Sequence, residues 1–471
     1  MIVVQRVVAV SVAMFLLAGS LRSQKLAPHR MVVVISLDGF PAYSLEDPRL
    51  PVPTLRTLAK NGASAKRMTT VNPTVTWPNH TAMVTGVGAD RHGLLFNGAA
   101  VRTGGTPMVK IDPFIDKIQM VHVPTVYDVA HRAGMTTAQV DWVAIQHAPS
   151  ITWEFAEFPS KDGPIEKEMM DRGLVTGNDV EQFTKVNILR RDQIWTDAAI
   201  HILQQHEPDL LLVHLLSLDT THHSYGPKSL ASMDAMAFLD SCVARITGAI
   251  RSMGANDRTT ILVVSDHGFK VVSNQIRPGA ALADAGLGEG VQIIPEGGTA
   301  MVYLDRKRAA TLAPLVIKTL SGMPGLDRIV VPEDFEKLGL PTPSADPQAP
   351  DLILVAKSDY AFAGGTKDSV VSSPLQKTGS HGYLATDPEM DAIFIASGDG
   401  IRKGVSLERI RNIDVAPTIA ELLGLTLGGI EGRALVETFV GKVPVAGVKV
   451  RARARSSGAK SLASNSGRSS R

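Results

Sequence analysis

Cysteine is almost missing from this chain, since Cys242 is the only one among 471 residues. This excludes an intrachain disulfide framework and any metal site built from several thiolates. The chain also lacks a large excess of positive or negative charge, since it has 48 lysines and arginines and 46 aspartates and glutamates. The net charge of +2 gives no basic field over the whole molecule, so the sequence favours no specific nucleic acid as a partner.

The apolar run near the N-terminus is too short to cross a membrane. It covers residues 7–17, whereas a membrane-spanning helix needs ~20 residues. Arg6 precedes it and small residues follow at 18–20, which is the order of a secretory signal peptide. We interpret residues 1–23 as an export signal, with an uncleaved anchor as the alternative. We expect a periplasmic or secreted protein without a stable membrane span, and scarce cysteine in an exported chain favours a bacterial periplasm.

Short apolar runs alternate with stretches of helical periodicity after the signal. Residues 31–37 form a continuous β-branched run, which is typical of a strand buried on both faces. Similar runs occupy residues 210–216, 260–265 and 392–396, and helical spacing marks residues 192–205 and 232–253. The alternation predicts an α/β fold with a central, mostly parallel sheet flanked by helices. We expect this catalytic domain to cover about residues 30–440.

Three segments look different from that core. Residues 297–362 have a strand, helix, strand, strand pattern, which predicts a small α+β cap inserted into the domain. Residues 96–173 are rich in Pro, Gly and aromatic side chains and look like a second addition. Residues 445–471 carry basic side chains among Ser, Gly and Ala, which indicates a disordered tail, with a polyanion-binding arm as the alternative.

Side chains of the types that bind metals follow several of the predicted strands. In an open α/β sheet the site lies outside the carboxyl ends of the strands, so these side chains are expected to meet there. If the segment after residue 216 is helical, an Asp and a His at i and i+4 share one face and can chelate one ion. Taken singly, an Asp-Gly dipeptide is better explained as an ordinary turn, and a surface Asp–His pair is as good an interpretation as a chelating one. The candidates are Asp38, Asp219, His223, Asp266, His267 and His381.

Thr76 precedes a predicted helix at residues 81–85 and lies in or just before its first turn. One interpretation makes Thr76 the N-cap of that helix, with Pro78 tolerated just inside. The other places its hydroxyl beside free backbone N–H groups that can hold a phosphate. Three aspartates, three histidines and one threonine are about what two divalent ions ~4 Å apart require for phosphoryl transfer. Because all donors are O or N, Zn²⁺ is favoured and Mn²⁺ or Fe is allowed.

The order and the residues of these motifs resemble those of the nucleotide pyrophosphatase/phosphodiesterase family in the alkaline phosphatase superfamily. The resemblance covers about residues 31–432. Its motifs are Asp38-Gly39, Thr76–His80, His92-Gly93 with Asn97, Asp219 with His223, Asp266–Gly268 and His381–Tyr383.

The resemblance also implies a role for each matching residue. Thr76 would be the nucleophile and would form a phospho-threonine intermediate. Asn97 and the backbone N–H of Trp77 would bind a non-bridging phosphate oxygen. The Trp77 ring would pack on a nucleobase or, as the alternative, lie in the core. One ion would be held by Asp38, Asp266, His267 and Thr76, and the other by Asp219, His223 and His381.

The chain departs from two neighbouring groups of the same superfamily. Threonine cannot become the formylglycine of sulfatases, which makes a sulfatase unlikely on these residues. Phosphomonoesterases add a Lys-x-Arg pair, and residues 139–142 show no counterpart, although Lys161 or a cap residue could substitute. We therefore predict hydrolysis of small phosphodiester or pyrophosphate substrates of nucleotide type. The alternatives are a phosphomonoesterase or phosphonate hydrolase on the same scaffold and, more distantly, a non-catalytic binding protein.

Overall fold

The computed structural model describes residues 30–441. The proposed signal (1–23) and basic tail (445–471) lie outside these residues. Within residues 30–441, none of the helices combines the length and the hydropathy that crossing a membrane requires.

Strands and helices alternate along most of the chain. The strands are β1 (Met31–Leu37), β2 (Ala63–Thr69), β3 (Ala99–Arg102), β4 (Val109–Asp112), β5 (Thr137–Val140), β6 (Trp153–Phe155), β7 (Leu210–Leu215), β8 (Thr259–Val264), β9 (Lys270–Val272), β10 (Asn274–Ile276), β11 (Val291–Glu296), β12 (Thr299–Leu304), β13 (Leu326–Val330), β14 (Leu352–Ala356), β15 (Tyr360–Phe362), β16 (Val371–Ser372), β17 (Thr378–Ser380), β18 (Ala392–Gly398) and β19 (Val405–Arg411). The α-helices are α1 (Pro53–Lys60), α2 (Thr76–Thr85), α3 (Ala89–His92), α4 (Lys117–Met120), α5 (Val126–Arg132), α6 (Pro164–Asp171), α7 (Gly177–Glu181), α8 (Ile188–His206), α9 (Ser217–Tyr225), α10 (Leu230–Ser252), α11 (Pro278–Asp284), α12 (Ala309–Leu320) and α13 (Val415–Leu422).

Eight strands form the central sheet in the order β19-β2-β18-β8-β1-β7-β5-β6. Only β18 runs against its neighbours in this sheet, so the sheet is mostly parallel. Ser36 of β1 pairs with His214 of β7 on one side and with Val264 of β8 on the other. The residues that follow these three strands therefore emerge side by side. The predicted α/β fold is confirmed.

Helices cover both faces of the sheet, and the alternation of β1 shows why its apolar run is continuous. Val33 and Ile35 pack into the layer that contains α1, α8 and α10. Val32 and Val34 pack into the opposite layer, which contains α2, α5 and α13. Successive strand residues point to opposite faces, so a strand covered on both sides needs apolar side chains at every position.

A second, antiparallel sheet has the order β11-β12-β14-β13 and carries α12. Its strands and helix follow the pattern expected for residues 297–362, except that the sheet begins earlier, at Val291. The treatment of residues 297–362 as an inserted domain stays a prediction. Residues 96–173 are not wholly an addition, because β5 and β6 belong to the central sheet. That expectation was wrong for a simple reason: strands of four and three residues leave too little sequence for a period to be recognised.

Candidate active site

The carboxyl ends of β8, β1 and β7 lie next to one another and place the candidate ligands together. Asp38 directly follows β1, and its backbone N–H donates to Leu215 O at 2.9 Å. The next N–H, that of Gly39, donates to Asp266 Oδ1 at 3.0 Å, which ties the β1 end to the β8 end. Asp219 lies in the first turn of α9, which begins just after β7. The three segments thus share one edge of the sheet.

A first cluster of side chains surrounds the Nε2 atom of His267. This atom lies 3.2 Å from Asp266 Oδ2, 3.5 Å from Asp38 Oδ1 and 3.4 Å from Thr76 Oγ1. The other ring nitrogen, Nδ1, lies 3.1 Å from Gly268 O, so we assign it the proton that it donates to this carbonyl. Nε2 then presents its lone pair to the cluster.

A second cluster surrounds Asp219 Oδ1. His223 Nε2 lies 3.4 Å away, one helical turn along α9, as the i, i+4 spacing predicts. His381 Nε2 lies 3.7 Å away, and its Nδ1 donates to Thr74 O at 3.0 Å. The rings of His381 and His267 stack with their centroids 3.9 Å apart, so the two clusters lie next to each other. His223 is 45% exposed, which makes this cluster the more open of the two.

The donor set fits two divalent cations. Asp38 Oδ1, Asp266 Oδ2 and Asp219 Oδ1 are buried carboxylate oxygens without a hydrogen-bond donor. Burial first, and then the neighbouring carboxylates of Asp266 and Asp219, hold the pKa of Asp38 well above its usual value, so a cation at this point would relieve an unfavourable buried charge. A tetrahedral ion with bonds of 2.0–2.1 Å separates its ligands by roughly 3.3 Å, close to the observed distances.

One imidazole of each cluster, that of His267 and that of His381, is ready to act as a ligand, whereas at His223 the effect of burial is outweighed by Asp219, which raises the pKa of that ring. Burial lowers the pKa of His267 to about 4 and that of His381 to about 3. At neutral pH both rings are therefore neutral, which is the form that binds a metal ion. Each ring is also oriented by a backbone carbonyl at Nδ1, the outer partner that metal-binding histidines commonly have.

Thr76 is the first residue of α2. The N-cap is Val75, which is extended at φ −124° and ψ 155°, so the interpretation of Thr76 as the N-cap was wrong. Val75 O accepts the Asn79 N–H at 3.2 Å, which places the N-cap at Val75, and the Thr76 hydroxyl is directed to His267 rather than to the helix backbone. The first N–H groups of a helix have no partner within it, but here the Trp77 N–H donates to Asn97 Oδ1 and Pro78 has no N–H, which leaves the N–H of Thr76 itself. This geometry suits an anion next to its hydroxyl.

Asn97 and Trp77 are held together at the start of α2. The Trp77 backbone N–H donates to Asn97 Oδ1 at 3.0 Å, which fixes the acceptor end of the amide. Asn97 is exposed, so its NH₂ end can serve another acceptor. The Trp77 ring is only 5% exposed and packs against Leu94, Met120 and Val121. Its burial favours the core alternative for the ring over a nucleobase platform.

His214 is a neighbour of this site that the sequence reasoning missed. It lies in β7 and is 2% exposed. Its Nε2 lies 2.9 Å from Asp38 Oδ2, and its Nδ1 lies 3.1 Å from Asp141 Oδ2. Burial alone would lower the pKa of His214, but Asp141 and Asp38 outweigh burial and raise the pKa well above its ordinary value. One signal was available: His214 is the only polar residue in the buried strand Leu210–Leu215.

No extra cation comes from Lys161 or from residues 139–142, two of the three places considered for one. Lys161 pairs with Glu181 at 2.8 Å, and both side chains are exposed. In residues 139–142 the Gln139 side chain accepts the Trp142 N–H at 2.9 Å, and the Trp142 ring meets the His80 ring edge-on. The charged group of this segment is the buried carboxylate of Asp141.

A mostly parallel α/β sheet with two carboxylate–imidazole clusters beside a hydroxyl at a helix start is typical of enzymes that hydrolyse phosphate esters. The chain belongs to the type I phosphodiesterase / nucleotide pyrophosphatase family, whose family model matches residues 32–384. It is therefore a hydrolytic enzyme of phosphodiester and pyrophosphate bonds.

Curated relatives and solved structures agree with this membership. The chain is 22% identical over 440 residues to ectonucleotide pyrophosphatase/phosphodiesterase family member 7 of Rattus norvegicus, covering 89% of each chain. It is 21% identical over 407 residues to bis(5'-adenosyl)-triphosphatase ENPP4 of Homo sapiens, covering 84% of this chain and 78% of the relative. Murine ectonucleotide pyrophosphatase/phosphodiesterase 5 shares its fold, with a TM-score of 0.69, 20% identity, and coverage of 87% of this chain and 100% of the murine one.

Proposed function

We propose that this enzyme cleaves phosphodiester or pyrophosphate bonds of small nucleotide-like substrates through a phospho-threonine intermediate on Thr76. The observation that carries the proposal is the convergence of Thr76 Oγ1, Asp38 Oδ1 and Asp266 Oδ2 within 3.5 Å of His267 Nε2. A threonine hydroxyl in an ordinary helix start has no reason to face two buried carboxylates and an imidazole.

The proposed ligands divide into two sets. When bound, two divalent cations would lower the pKa of the Thr76 hydroxyl and offset negative charge on the leaving oxygen. With donors that are all O or N, Zn²⁺ is the expected ion, and Mn²⁺ or Fe is compatible. The first set is Asp38, Asp266, His267 and Thr76, and the second is Asp219, His223 and His381.

The chain's own groups position the reaction. Thr76 Oγ, having lost its proton, attacks phosphorus as the bond to the leaving oxygen breaks, and water later cleaves the threonine–phosphorus bond. The N-terminal end of α2, with the backbone N–H of Thr76, lies at the phosphate, whereas the Trp77 N–H is used by Asn97 and Pro78 has none. The NH₂ group of Asn97, held in place by Trp77 N–H, donates to a non-bridging oxygen whose charge grows in the transition state.

The charges around Asp38 favour a diester or pyrophosphate over a monoester. A monoester brings a dianionic phosphate, whereas a diester carries one negative charge per phosphorus. On the far side of Asp38, beyond His214, lies the carboxylate of Asp141, and Lys161 is engaged with Glu181. Two relatives support nucleotide substrates: one is named a bis(5'-adenosyl)-triphosphatase, and an inactive murine fold relative has been solved in complex with AMP. A phosphomonoesterase or phosphonate hydrolase is the second candidate.

The test compares substrates, nucleophile variants and metal content in one series. We expect the zinc-loaded enzyme to cleave bis-p-nitrophenyl phosphate faster than p-nitrophenyl phosphate. Thr76→Ala should lose roughly a thousandfold or more of kcat while it keeps its bound metal, because the six other donors remain. Thr76→Ser, which retains a hydroxyl, is the matched control and should keep measurable turnover. Full activity of Thr76→Ala would exclude the phospho-threonine, and a strong monoester preference would favour the second candidate.

Two further inferences concern the export of the chain and the role of the cap, residues 297–362. We infer that residues 1–23 direct the chain to the periplasm or the medium, on the signal-peptide order of their residues. We also infer that residues 297–362 act as an inserted cap that shapes substrate choice, because specificity in such folds is carried by segments added to the core. N-terminal sequencing of the exported protein tests the first inference, and recovery of an unprocessed, membrane-bound chain would contradict it.

A further inference from the structure

A group of metal-binding side chains lies outside the candidate active site. Glu168 comes from α6, and His201 and His206 come from α8. Glu168 Oε2 lies 2.7 Å from His201 Nε2 and 2.8 Å from His206 Nε2. One donor atom from each residue lies within 4.8 Å of the other two. We call these residues the α6–α8 cluster.

The α6–α8 cluster is remote from the reacting groups. Asp192, near the start of α8, accepts the N–H groups of Leu216 and Ser217 at 2.9 and 3.0 Å, beside the carboxyl end of β7. His206 ends the same helix 14 residues later, which is about 21 Å further along its axis. Helix α8 returns the chain to the start of β7 at Leu210. His206 therefore lies near the amino ends of the strands, opposite the candidate active site at their carboxyl ends.

Packing around the α6–α8 cluster holds its rings in place. The Trp153 ring stacks on the His206 ring with centroids 3.9 Å apart. His201 is nearly fully buried, with 1% of its side chain exposed, and Arg172 at the end of α6 bonds to Gln205 of α8. Glu168 is 37% exposed, which leaves one side of the cluster accessible to water and solutes.

We propose that the α6–α8 cluster is a third metal site, which takes a divalent transition cation such as Zn²⁺, Ni²⁺ or Co²⁺. Two imidazole nitrogens and one carboxylate oxygen are a donor set that these ions prefer, and water completes the coordination at the exposed side. In the bound state each imidazole would offer the Nε2 lone pair to the ion and carry a proton on Nδ1. The ion joins α6 to α8 and thereby stabilises the helical layer over β6 and β7.

Metal counting on the whole enzyme tests the proposal. The protein is equilibrated with Zn²⁺ and freed of excess metal, and elemental mass spectrometry then measures the number of Zn²⁺ ions per chain. Ni²⁺ binding is followed by calorimetry. We expect one equivalent more for the wild type than for Glu168→Gln or for His206→Gln. Both variants should hydrolyse bis-p-nitrophenyl phosphate at the wild-type rate, which also shows that they are folded. His131→Ala, which removes an exposed histidine from α5, is the matched control and should keep every equivalent.

A second arm separates the third site from the catalytic one. Asp219→Ala should lose metal from the active site and still bind the extra equivalent. Added Ni²⁺ should raise the melting midpoint of Asp219→Ala by several degrees, because binding to the folded state alone stabilises it. This shift should be clearly smaller in the Asp219→Ala/Glu168→Gln double variant, which keeps only the first set of active-site donors. Equal metal content in wild type and Glu168→Gln, or an unchanged melting shift in the double variant, would overturn the proposal. Neither readout depends on the nature of the substrate.

Discussion

His214 shows how a single buried side chain can determine which atom of a ligand is available. Asp38 has two carboxylate oxygens, and His214 Nε2 lies 2.9 Å from one of them, Oδ2. The other, Oδ1, has no donor and faces His267. His214 therefore restricts Asp38 to one free oxygen and fixes its direction. Outer partners of this kind orient metal ligands and tune their affinity.

Removal of the His214 ring should weaken the first ion. We expect His214→Ala to lower zinc affinity and kcat/KM by roughly 10- to 100-fold, because Asp38 loses the donor that orients it. His214→Gln, whose side-chain NH₂ can replace the Nε2 donor, should retain most of both. Competition with a chelator measures the affinity. An unchanged zinc affinity in His214→Ala would mean that His214 only fills space.

Asn97 offers a second test at the scale of one residue. Asn97→Asp keeps an oxygen that accepts the Trp77 N–H, but it loses the NH₂ donor and adds a negative charge beside the phosphate. We expect its kcat to fall by roughly 10²- to 10³-fold, the usual cost of losing a transition-state donor, and Asn97→Ala to fall by a similar factor or less. Zinc content should not change, since Asn97 is not a proposed ligand. Wild-type kcat in Asn97→Asp would remove Asn97 from the mechanism.

Elements with a strong local pattern could be predicted, and elements defined by their neighbours could not. The continuous apolar run of β1 and the i, i+4 pair on α9 follow from a periodicity that is visible in the sequence. Strand β5, with four residues, and strand β11, which is half-buried and contains Pro295, lack a clear period. Their pairing depends on which strands lie beside them. Helix α2 begins at Thr76, five residues before the predicted 81–85 and one before the start that Thr76 as N-cap implies, because Trp77 and Pro78 hide the helical pattern of its first turn.

The loop after β17 allows a test at the scale of one element. Gly382 has φ +77°, and a Cβ there would lie 1.6 Å from the carbonyl oxygen of Glu296. We expect Gly382→Ala to cost roughly 2–4 kcal/mol of unfolding free energy and to displace His381, so that metal binding at the second cluster weakens. Gly322→Ala, where a Cβ meets no atom within 4 Å, is the control. Urea unfolding and metal content measure the two effects, and equal values for both variants would contradict the expectation.

At the scale of the whole molecule, the fold joins ligands that are far apart in sequence. Asp38 and His381 lie in adjoining clusters although 343 positions separate them. Motifs at strand ends identified these residues in advance, because parallel strands present their carboxyl ends at one edge. The α6–α8 cluster carried no such signal. His201 and His206 are five positions apart, which is not a same-face spacing on a helix, and Glu168 reaches them only through tertiary packing.

The pH dependence of stability should report on the buried histidines of the whole fold, and His92 gives the clearest case. His92 is fully buried, and its Nδ1 accepts the Leu94 N–H at 3.2 Å. Burial first, and then the charge of His122, lower its pKa to about 3. An unfolded histidine titrates near 6.5, so between pH 6.5 and pH 3 the unfolded chain binds a proton that the folded chain does not. Stability must therefore fall as the pH falls through this range.

His92→Asn keeps an acceptor for the Leu94 N–H but has no group that titrates, so it isolates this contribution. For wild type, His92 should account for about 2 kcal/mol of the unfolding free energy lost between pH 7 and pH 5. The loss over the same interval should be smaller by about that amount in His92→Asn, whatever the absolute stability of the variant. Urea unfolding at both pH values measures it, and His131→Asn, at an exposed position, is the control. If wild type and His92→Asn lose equal stability, His92 must already be able to accept a proton in the folded protein, and the packing around it must open on acidification.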